Sequence, residues 1–181
     1  MMAKQLHFPE FDRMKIKDFG GTLIKGNARE QRPLSTKRPL HLVMRSSLAR
    51  GERSFLHPRR IKRVREIIYR AGASQNVKVY RFANSGNHLH LVVLPRSRAA
   101  YFRFIRSITG RVARLTLNVE RGRGKGVKFW DALPFTRILE WGRDFQGTCD
   151  YLRQNVLEAL GFIPYRPRKH CVESPLRRPP D

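Results

Sequence analysis

The clearest alternation of apolar and polar side chains in this chain runs from His88 to Pro95. Neighbouring side chains of a β-strand point to opposite faces of the sheet. The pattern therefore predicts a strand with one face buried in a core and with His88 and His90 together on the other face. The predicted buried face consists of Leu89, Leu91 and Val93.

Other stretches also have the short, alternating pattern of strands. In the first of them, residues 40–45, His41 lies on the face opposite the apolar residues. We interpret His41 as a structural or groove-lining residue and not as a ligand. The turn signal at residues 84–87 joins the second of them, residues 77–83, to the strand that begins at His88, and it predicts a hairpin. The further predicted strands are residues 40–45, 77–83, 127–130 and 135–139.

Apolar residues recur at helical spacing in three stretches. The first predicted helix runs from Pro58 to Ala71, with proline in its first turn and Gly72 as its stop. The second runs from about Arg98 to Leu117, and the third covers residues 144–160. The apolar stripe expected of the second helix is Phe102, Ile105, Ile108, Val112 and Leu115. That of the third helix is Phe145, Cys149, Leu152 and Val156.

The order of elements is strand, helix, strand, strand, helix, strands and helix. This order predicts an α+β fold, an antiparallel sheet of the split βαβ, ferredoxin-like kind, with an additional C-terminal helix. We expect one domain over residues 37–162, preceded by a basic N-terminal arm or linker over residues 1–36. The Pro- and Arg-rich segment 163–181 predicts a basic, disordered tail.

Charge narrows the choice of partners. The 181 residues include 38 Lys plus Arg against 14 Asp plus Glu, a formal net charge of +24. Most of the cations are arginine, whose planar fork fits phosphate, so nucleic acid is favoured over an anionic membrane. No apolar run approaches the roughly 20 residues of a spanning helix, and the N-terminus does not resemble a signal peptide. The two cysteines form no CxxC pair, which indicates a reducing cytoplasm and no structural zinc site or disulfide scaffold.

Cationic side chains lie off the apolar stripes of the first two predicted helices and fill the glycine-rich loop 121–126. Few acidic residues balance the arginines of the helices, so phosphate binding explains them better than a solvated surface does. The loop lacks the Gly-Lys-Ser/Thr ending of a P-loop and is either a mobile hairpin tip or a DNA-gripping loop. The side chains predicted to bind DNA are Arg59, Arg60, Arg63, Arg103, Arg106, Arg121, Arg123 and Lys125.

Two sets of residues carry candidate chemistry. Two neutral imidazoles on one strand face, His88 and His90, suit a divalent metal, although one could be structural and the other could face water. On the last helix, Tyr151 and Asn155 are one turn apart. The amide oxygen of Asn155 could be a third ligand for Mg²⁺ or Mn²⁺, and Tyr151 could be a nucleophile or a residue at a helix–sheet boundary.

At these residues the chain resembles a family. Residues 87–93 are similar to the His-hydrophobic-His (HUH) motif of single-tyrosine transposases of the IS200-like and REP-associated kind. The segment 151–155 resembles their later Tyr-Ile-x-x-Asn-Pro segment, with Val156 where the family often has proline. Phe129 and Trp130 resemble the tryptophan-containing stretch between the two motifs. The resemblance covers roughly residues 37–162.

The resemblance implies a function. His88, His90 and Asn155 would hold Mg²⁺ or Mn²⁺ at the scissile phosphate of single-stranded DNA. Tyr151 would attack, leaving a 3′-hydroxyl and a covalent 5′-phosphotyrosine, so strands would be exchanged without a nucleotide cofactor. The expected partner is single-stranded or hairpin DNA. We expect a monomer or homodimer in the bacterial cytoplasm, associated with the nucleoid when bound to DNA.

Other functions remain open on the sequence. A domesticated or non-catalytic hairpin DNA- or RNA-binding module would have the same fold. A binding module of this kind would show aromatic side chains for base stacking on its sheet, for which Tyr80 and Phe82 are candidates. A small basic protein of a ribonucleoprotein would leave the histidine pair without a role.

Overall fold

The structure, a computed structural model, describes residues 18–21, 31–120 and 126–165. A single 3-10 turn, Gly51–Arg53, lies between the first long strand and the first helix. The elements are β1 (Asp18–Phe19), β2 (Leu40–Arg45), α1 (Pro58–Ser74), β3 (Val77–Asn84), β4 (His88–Pro95), α2 (Arg98–Leu117), β5 (Phe135–Ile138) and α3 (Arg143–Ala159).

The strands form one antiparallel sheet in the order β1-β5-β2-β4-β3. The inner pair β2 and β4 are neighbours although a helix and a strand separate them along the chain. With α1 and α2 as the two connections, β2 to β5 reproduce the strand order of the ferredoxin-like fold. The predicted fold class is confirmed, and α3 is the additional C-terminal helix.

Two cores lie on opposite faces of the sheet. On one face, the leucines of β2 and β4 pack against α1 and α2 and form the larger core. On the other face, Ala83 and Val92 pack against Cys149 and Leu152 of α3 and form a smaller core. Helices α1 and α2 therefore cover one face, and α3 covers the other.

Helix α1 begins where the sequence predicts, but Gly72 does not stop it. The side chain of His57 caps its start by accepting a hydrogen bond from the backbone of Arg59, and the helix continues to Ser74. A Cβ atom at Gly72 would lie 2.9 Å from the carbonyl oxygen of Val77. This glycine therefore allows α1 to approach β3 closely, and the prediction that it ends the helix is wrong.

Helix α2 has the predicted bounds, and its predicted apolar stripe packs in or against the larger core except at one residue. Phe102, predicted to be buried, is 42% exposed, whereas Tyr101 and Phe104 are almost fully buried. Ile108 and Val112 are buried as predicted. The difference is confined to the start of the stripe, where packing against the sheet buries Tyr101 and Phe104 in place of Phe102. Within the described ranges, no helix is both long and apolar enough to cross a bilayer.

The strand predicted over residues 127–130 is not formed. The segment is irregular, and its carbonyl at Phe129 accepts a hydrogen bond from the buried hydroxyl of Ser46. The Phe129 ring packs into the larger core beside Phe55, and the indole of Trp130 donates to the carbonyl of Thr109. Its apolar residues are thus buried by aromatic packing and not by strand pairing.

Strand β1 comes from the segment predicted to be an arm. Asp18 and Phe19 pair with β5, and Phe19 is buried. The guanidinium of Arg32 lies 4.4 Å from the centroid of the Phe19 ring and donates to the hydroxyl of Thr136 at 2.7 Å. An arginine in a basic segment thus anchors an edge strand here. The predicted tail from residue 166 onward lies outside the described residues.

Candidate active site

Strand β4 places His88 and His90 on the sheet face that α3 covers. Their rings are nearly parallel, with centroids 5.9 Å apart and an angle of 21° between the ring planes. His90 is buried and His88 is half-buried. Because Leu89 and Leu91 are fixed in the larger core, the strand holds both imidazoles rigidly on one side.

The surroundings of His88 favour a neutral ring with its outer nitrogen available. Its Nδ1–H donates to the side-chain oxygen of Asn87 at 2.6 Å, which directs the lone pair to Nε2. Burial lowers the pKa of His88, and the charge of Arg45 lowers it further, while Asp131 opposes the change. A neutral imidazole with a fixed tautomer is the form that binds a metal.

Helix α3 places Tyr151 across from the imidazole pair. The phenol meets the His90 ring edge-on, with centroids 5.9 Å apart and a 79° angle between the planes. Tyr151 is partly buried at the margin of the smaller core. The structure thus brings the tyrosine predicted as nucleophile next to the histidines predicted as ligands.

Asn155 lies one turn beyond Tyr151 and is buried, 6% exposed. It lines a cleft of about 530 Å³ together with His88, His90 and Tyr151. All four candidate catalytic and metal-binding residues therefore line one cleft between β4 and α3. The remaining lining residues are Arg45, Ser85, Glu158, Ala159 and Tyr165.

The donor set of this cleft fits a divalent metal if an amide completes it. In the described part of the chain, no three His, Cys, Asp or Glu side chains come together in a way that could hold an ion. A third ligand beside His88 and His90 would then have to be of another type, and the carboxamide oxygen of Asn155 is suitable. The neighbouring Gln154 donates instead to Glu158 at 2.8 Å.

His41 extends the row of imidazoles. Its ring stacks on His90, with centroids 5.8 Å apart, and meets Tyr151 edge-on at 6.2 Å. Burial lowers the pKa of His41 to about 4, the charge of Arg137 adds to this, and Asp144 opposes it. His41 is therefore a neutral residue that supports the His90 and Tyr151 rings from inside the fold.

Comparison with known proteins identifies the family. The sequence profile described as transposase IS200 like matches residues 36–135, more than half of the chain. The chain belongs to the IS200-like transposase family. The matched residues include His88 and His90 but end before Tyr151 and Asn155. The roles of those two residues therefore depend on the cleft geometry.

One solved transposase structure has a similar fold. A REP-associated tyrosine transposase bound to a REP hairpin is similar with a TM-score of 0.56 and 14% sequence identity, and the likeness covers 76% of each chain. A candidate transposase from Deinococcus radiodurans R1 has 12% identity over 73% of this chain and 97% of its own, with a TM-score of 0.42, too low to indicate a shared fold. No curated protein sequence matches this transposase significantly.

The cleft of this IS200-like transposase also contains residues that the sequence analysis did not select. Arg45 lies directly opposite His88 across the β2–β4 ladder. Tyr165, 72% exposed, lies at the rim just beyond α3. The alternation of β2 contained the signal for Arg45, because this residue shares a strand face with His41. No pattern in the sequence indicated Tyr165.

The arginines predicted to bind DNA lie away from the cleft where the structure describes them. Arg59, Arg60 and Arg63 are on α1, and Arg103 and Arg106 are on α2, so all five belong to the layer behind the sheet. Arg60 donates to the carbonyls of Glu52 and Leu115, and Arg103 donates to Gln75. Residues 121–125, with the predicted Arg121, Arg123 and Lys125, lie outside the described residues.

A groove between α1 and α2 is lined by some of the arginines of this layer, of which Arg63 is one that the sequence predicted to bind DNA. Four of its lining residues are arginines and two are glutamates, so the groove is cationic on balance. It is on the side of the molecule opposite the cleft, since α1 and α2 cover one sheet face and α3 covers the other. The charged lining residues are Arg63, Glu66, Arg70, Arg111, Arg114 and Glu120.

Proposed function

We propose that this transposase cleaves and rejoins single-stranded DNA next to a hairpin, through a covalent bond between Tyr151 and DNA. The observation that supports this most directly is the placement of the Tyr151 ring against His90 in a cleft that His88 and Asn155 also line. A phenol beside two imidazoles and a carboxamide is a suitable arrangement for attack on a phosphodiester.

His88, His90 and Asn155 would hold Mg²⁺ or Mn²⁺. The ion would act as a Lewis acid on a phosphate oxygen and would orient the scissile bond. The chain contributes the orientation of the ligands. The hydrogen bond from Nδ1 of His88 to Asn87 fixes one ring, and the stacked ring of His41 supports the other.

Tyr151 would supply the nucleophile. Its phenolic oxygen forms a bond to the phosphorus, and the bond between the phosphorus and the 3′-oxygen breaks. The proton of the phenol passes to solvent, and the departing 3′-oxygen gains one to become a hydroxyl. A 3′-hydroxyl can later reverse the step by attacking the phosphotyrosine, so rejoining consumes no nucleotide.

Hairpin recognition would use the cationic surface behind the sheet. The formal charge of +24 favours a polyanion, and the groove between α1 and α2 collects four arginines. The similar REP-associated transposase was solved with a REP hairpin bound. Contacts to a duplex backbone would place the DNA and leave the sequence to be read elsewhere.

The test is a denaturing gel that detects a covalent complex with labelled hairpin oligonucleotides. The oligonucleotides carry the sequences that flank the gene, with a single-stranded extension. We expect the wild-type chain to form an adduct with Mg²⁺ and not in EDTA, and Tyr151→Phe to form none while binding the hairpin normally. Tyr80→Phe, a tyrosine outside the cleft on the α3 side, is the matched control and should form the adduct.

Two outcomes would contradict the proposal. An adduct that persists in Tyr151→Phe would assign the nucleophile to another residue. Tight hairpin binding by the wild-type chain without any adduct, in Mg²⁺ and in Mn²⁺, would support the non-catalytic binding module instead.

A further inference from the structure

Arg45 ends strand β2 at the mouth of the cleft. The β2–β4 register places it directly opposite His88, and its side chain is 55% exposed. It lines the same cleft as the imidazoles, Tyr151 and Asn155. A permanent cation is therefore next to the residues proposed to bind a metal.

Asp131 holds this arginine in place. One carboxylate oxygen lies 3.3 Å from Nε of Arg45, and the other accepts a hydrogen bond from the backbone of Ser47 at 2.8 Å. The backbone N–H of Asp131 donates to the carbonyl of Arg45 at 3.0 Å. Asp131 thus makes three contacts with the end of β2 and the residues that follow it. Its ion pair is to Nε, the guanidinium nitrogen closest to the backbone of Arg45.

The charges of the cleft favour an anion between Arg45 and the imidazoles. Arg45 and His88 are partners in the β2–β4 register and line the same cleft. A divalent ion beside His88 would add two positive charges, and the carboxylates of Asp131 and Glu158 together would not balance the sum. A phosphodiester between Arg45 and the imidazoles would balance it, and a guanidinium offers phosphate two parallel donors.

We propose that Arg45 binds a non-bridging oxygen of the phosphate that Tyr151 attacks, with Asp131 as the residue that positions it. The inference rests on the proposed function, because it requires a DNA strand in the cleft. Arg45 thereby joins the residues that contact the reacting group, and it does so from the end of β2.

The experiment is a binding cycle that does not depend on cleavage. The full chain carrying Tyr151→Phe, with Mg²⁺, binds the hairpin oligonucleotide described above. Methylphosphonate replaces one phosphate at a time along the single-stranded extension and removes one charged oxygen. We expect one position to weaken binding by about 10- to 100-fold when Arg45 is present. In the Arg45→Gln background the same replacement should weaken binding at least 5-fold less.

Three further variants make the result specific to this residue. Arg45→Lys keeps the charge but loses the fork, and we expect it to restore part of the sensitivity to methylphosphonate. Asp131→Asn should reduce that sensitivity without changing affinity for the oligonucleotide substituted at the sensitive position. Arg38→Gln is the matched control, because Arg38 is ion-paired with Glu140 just before the other end of β2 and does not line the cleft.

The outcomes separate this inference from the proposed function. An equal methylphosphonate effect with and without Arg45 would overturn the inference, even if the wild-type chain forms the tyrosine adduct. A coupled position in a chain that forms no adduct would support phosphate binding by Arg45 and contradict the chemistry. If Arg45→Gln unfolds, the comparison of Arg45→Lys with the parent chain tests the inference. A lysine lacks the two parallel donors of the guanidinium, so the loss of affinity caused by methylphosphonate must still be smaller in Arg45→Lys.

Discussion

The two faces of the sheet use the same strands for opposite purposes. On β2 and β4, every second residue is a leucine or similar side chain buried under α1 and α2. The residues between them include His41, Arg45, His88 and His90, which face α3. A strand can therefore present polar chemistry at fixed spacing because its neighbouring residues are held in a core.

The faces also differ in how completely helices cover them. Two helices cover the apolar face, and its leucines are fully buried. In the part of the chain that the structure describes, one helix, α3, packs on the other face, with a cleft beside Tyr151. The imidazoles and Arg45 line this cleft.

Moving an imidazole to the apolar face should have the largest effect. Leu91→His replaces a fully buried side chain and buries polar nitrogens among apolar atoms. We expect the free energy of unfolding, measured with urea, to fall by roughly 4 kcal/mol or more. The control is Val43→His on the α3 face, which should cost less than about 1.5 kcal/mol. Equal costs at the two positions would show that the faces do not differ in this way.

Truncations on neighbouring residues of β4 should separate chemistry from stability. We expect His90→Ala to reduce the cleavage rate by more than about 100-fold. Removal of a metal ligand should lower activity more than removal of a residue that only orients a ligand. Leu91→Ala should lower the free energy of unfolding by about 2–5 kcal/mol. Its folded fraction should cleave within roughly threefold of the wild-type rate. Single-turnover cleavage and urea unfolding measure both effects, and a His90→Ala chain with normal cleavage would exclude the metal-binding role.

The buried imidazole of His41 should make stability depend on pH. Its pKa is about 4 in the folded chain and about 6.5 when unfolded, so the unfolded chain binds the proton first as pH falls. The contribution is complete above pH 6.5 and is lost as pH falls toward 4, with a loss of about 2 kcal/mol between pH 7 and pH 5. Urea unfolding in EDTA measures it, and His41→Leu should show a clearly smaller change between the two pH values.

Substitutions in the groove between α1 and α2 should weaken hairpin binding and leave the cleavage rate unchanged. Of the four predicted effects, this one should be the smallest. Arg63→Gln combined with Arg111→Gln should weaken hairpin affinity by about 10-fold at moderate salt and reduce the salt-dependence slope by about 2. The cleavage rate of bound DNA should remain the same. Arg96→Gln, outside the groove, is the control, and a pair of substitutions that changes only the cleavage rate would place the groove residues in the reaction instead.

The sequence predicted the polar face better than the connections around it. Period-two alternation identified His88 and His90 as a pair, and helical spacing put Tyr151 and Asn155 on one flank. Tertiary contacts decided the features that were missed. Gly72 permits a close approach to β3 and does not end α1. The pairing of Arg45 with His88 depends on the register of strands that are distant in sequence.

The layered arrangement has an evolutionary consequence. The groove behind the sheet and the cleft in front of it share no lining residue, and the leucine layer separates them. Under the proposed function, substitutions in the cleft would therefore end the reaction in a descendant while binding of nucleic acid at the groove is kept. Under the proposed function, the loss of a single phenol would leave a protein that binds nucleic acid without cutting it.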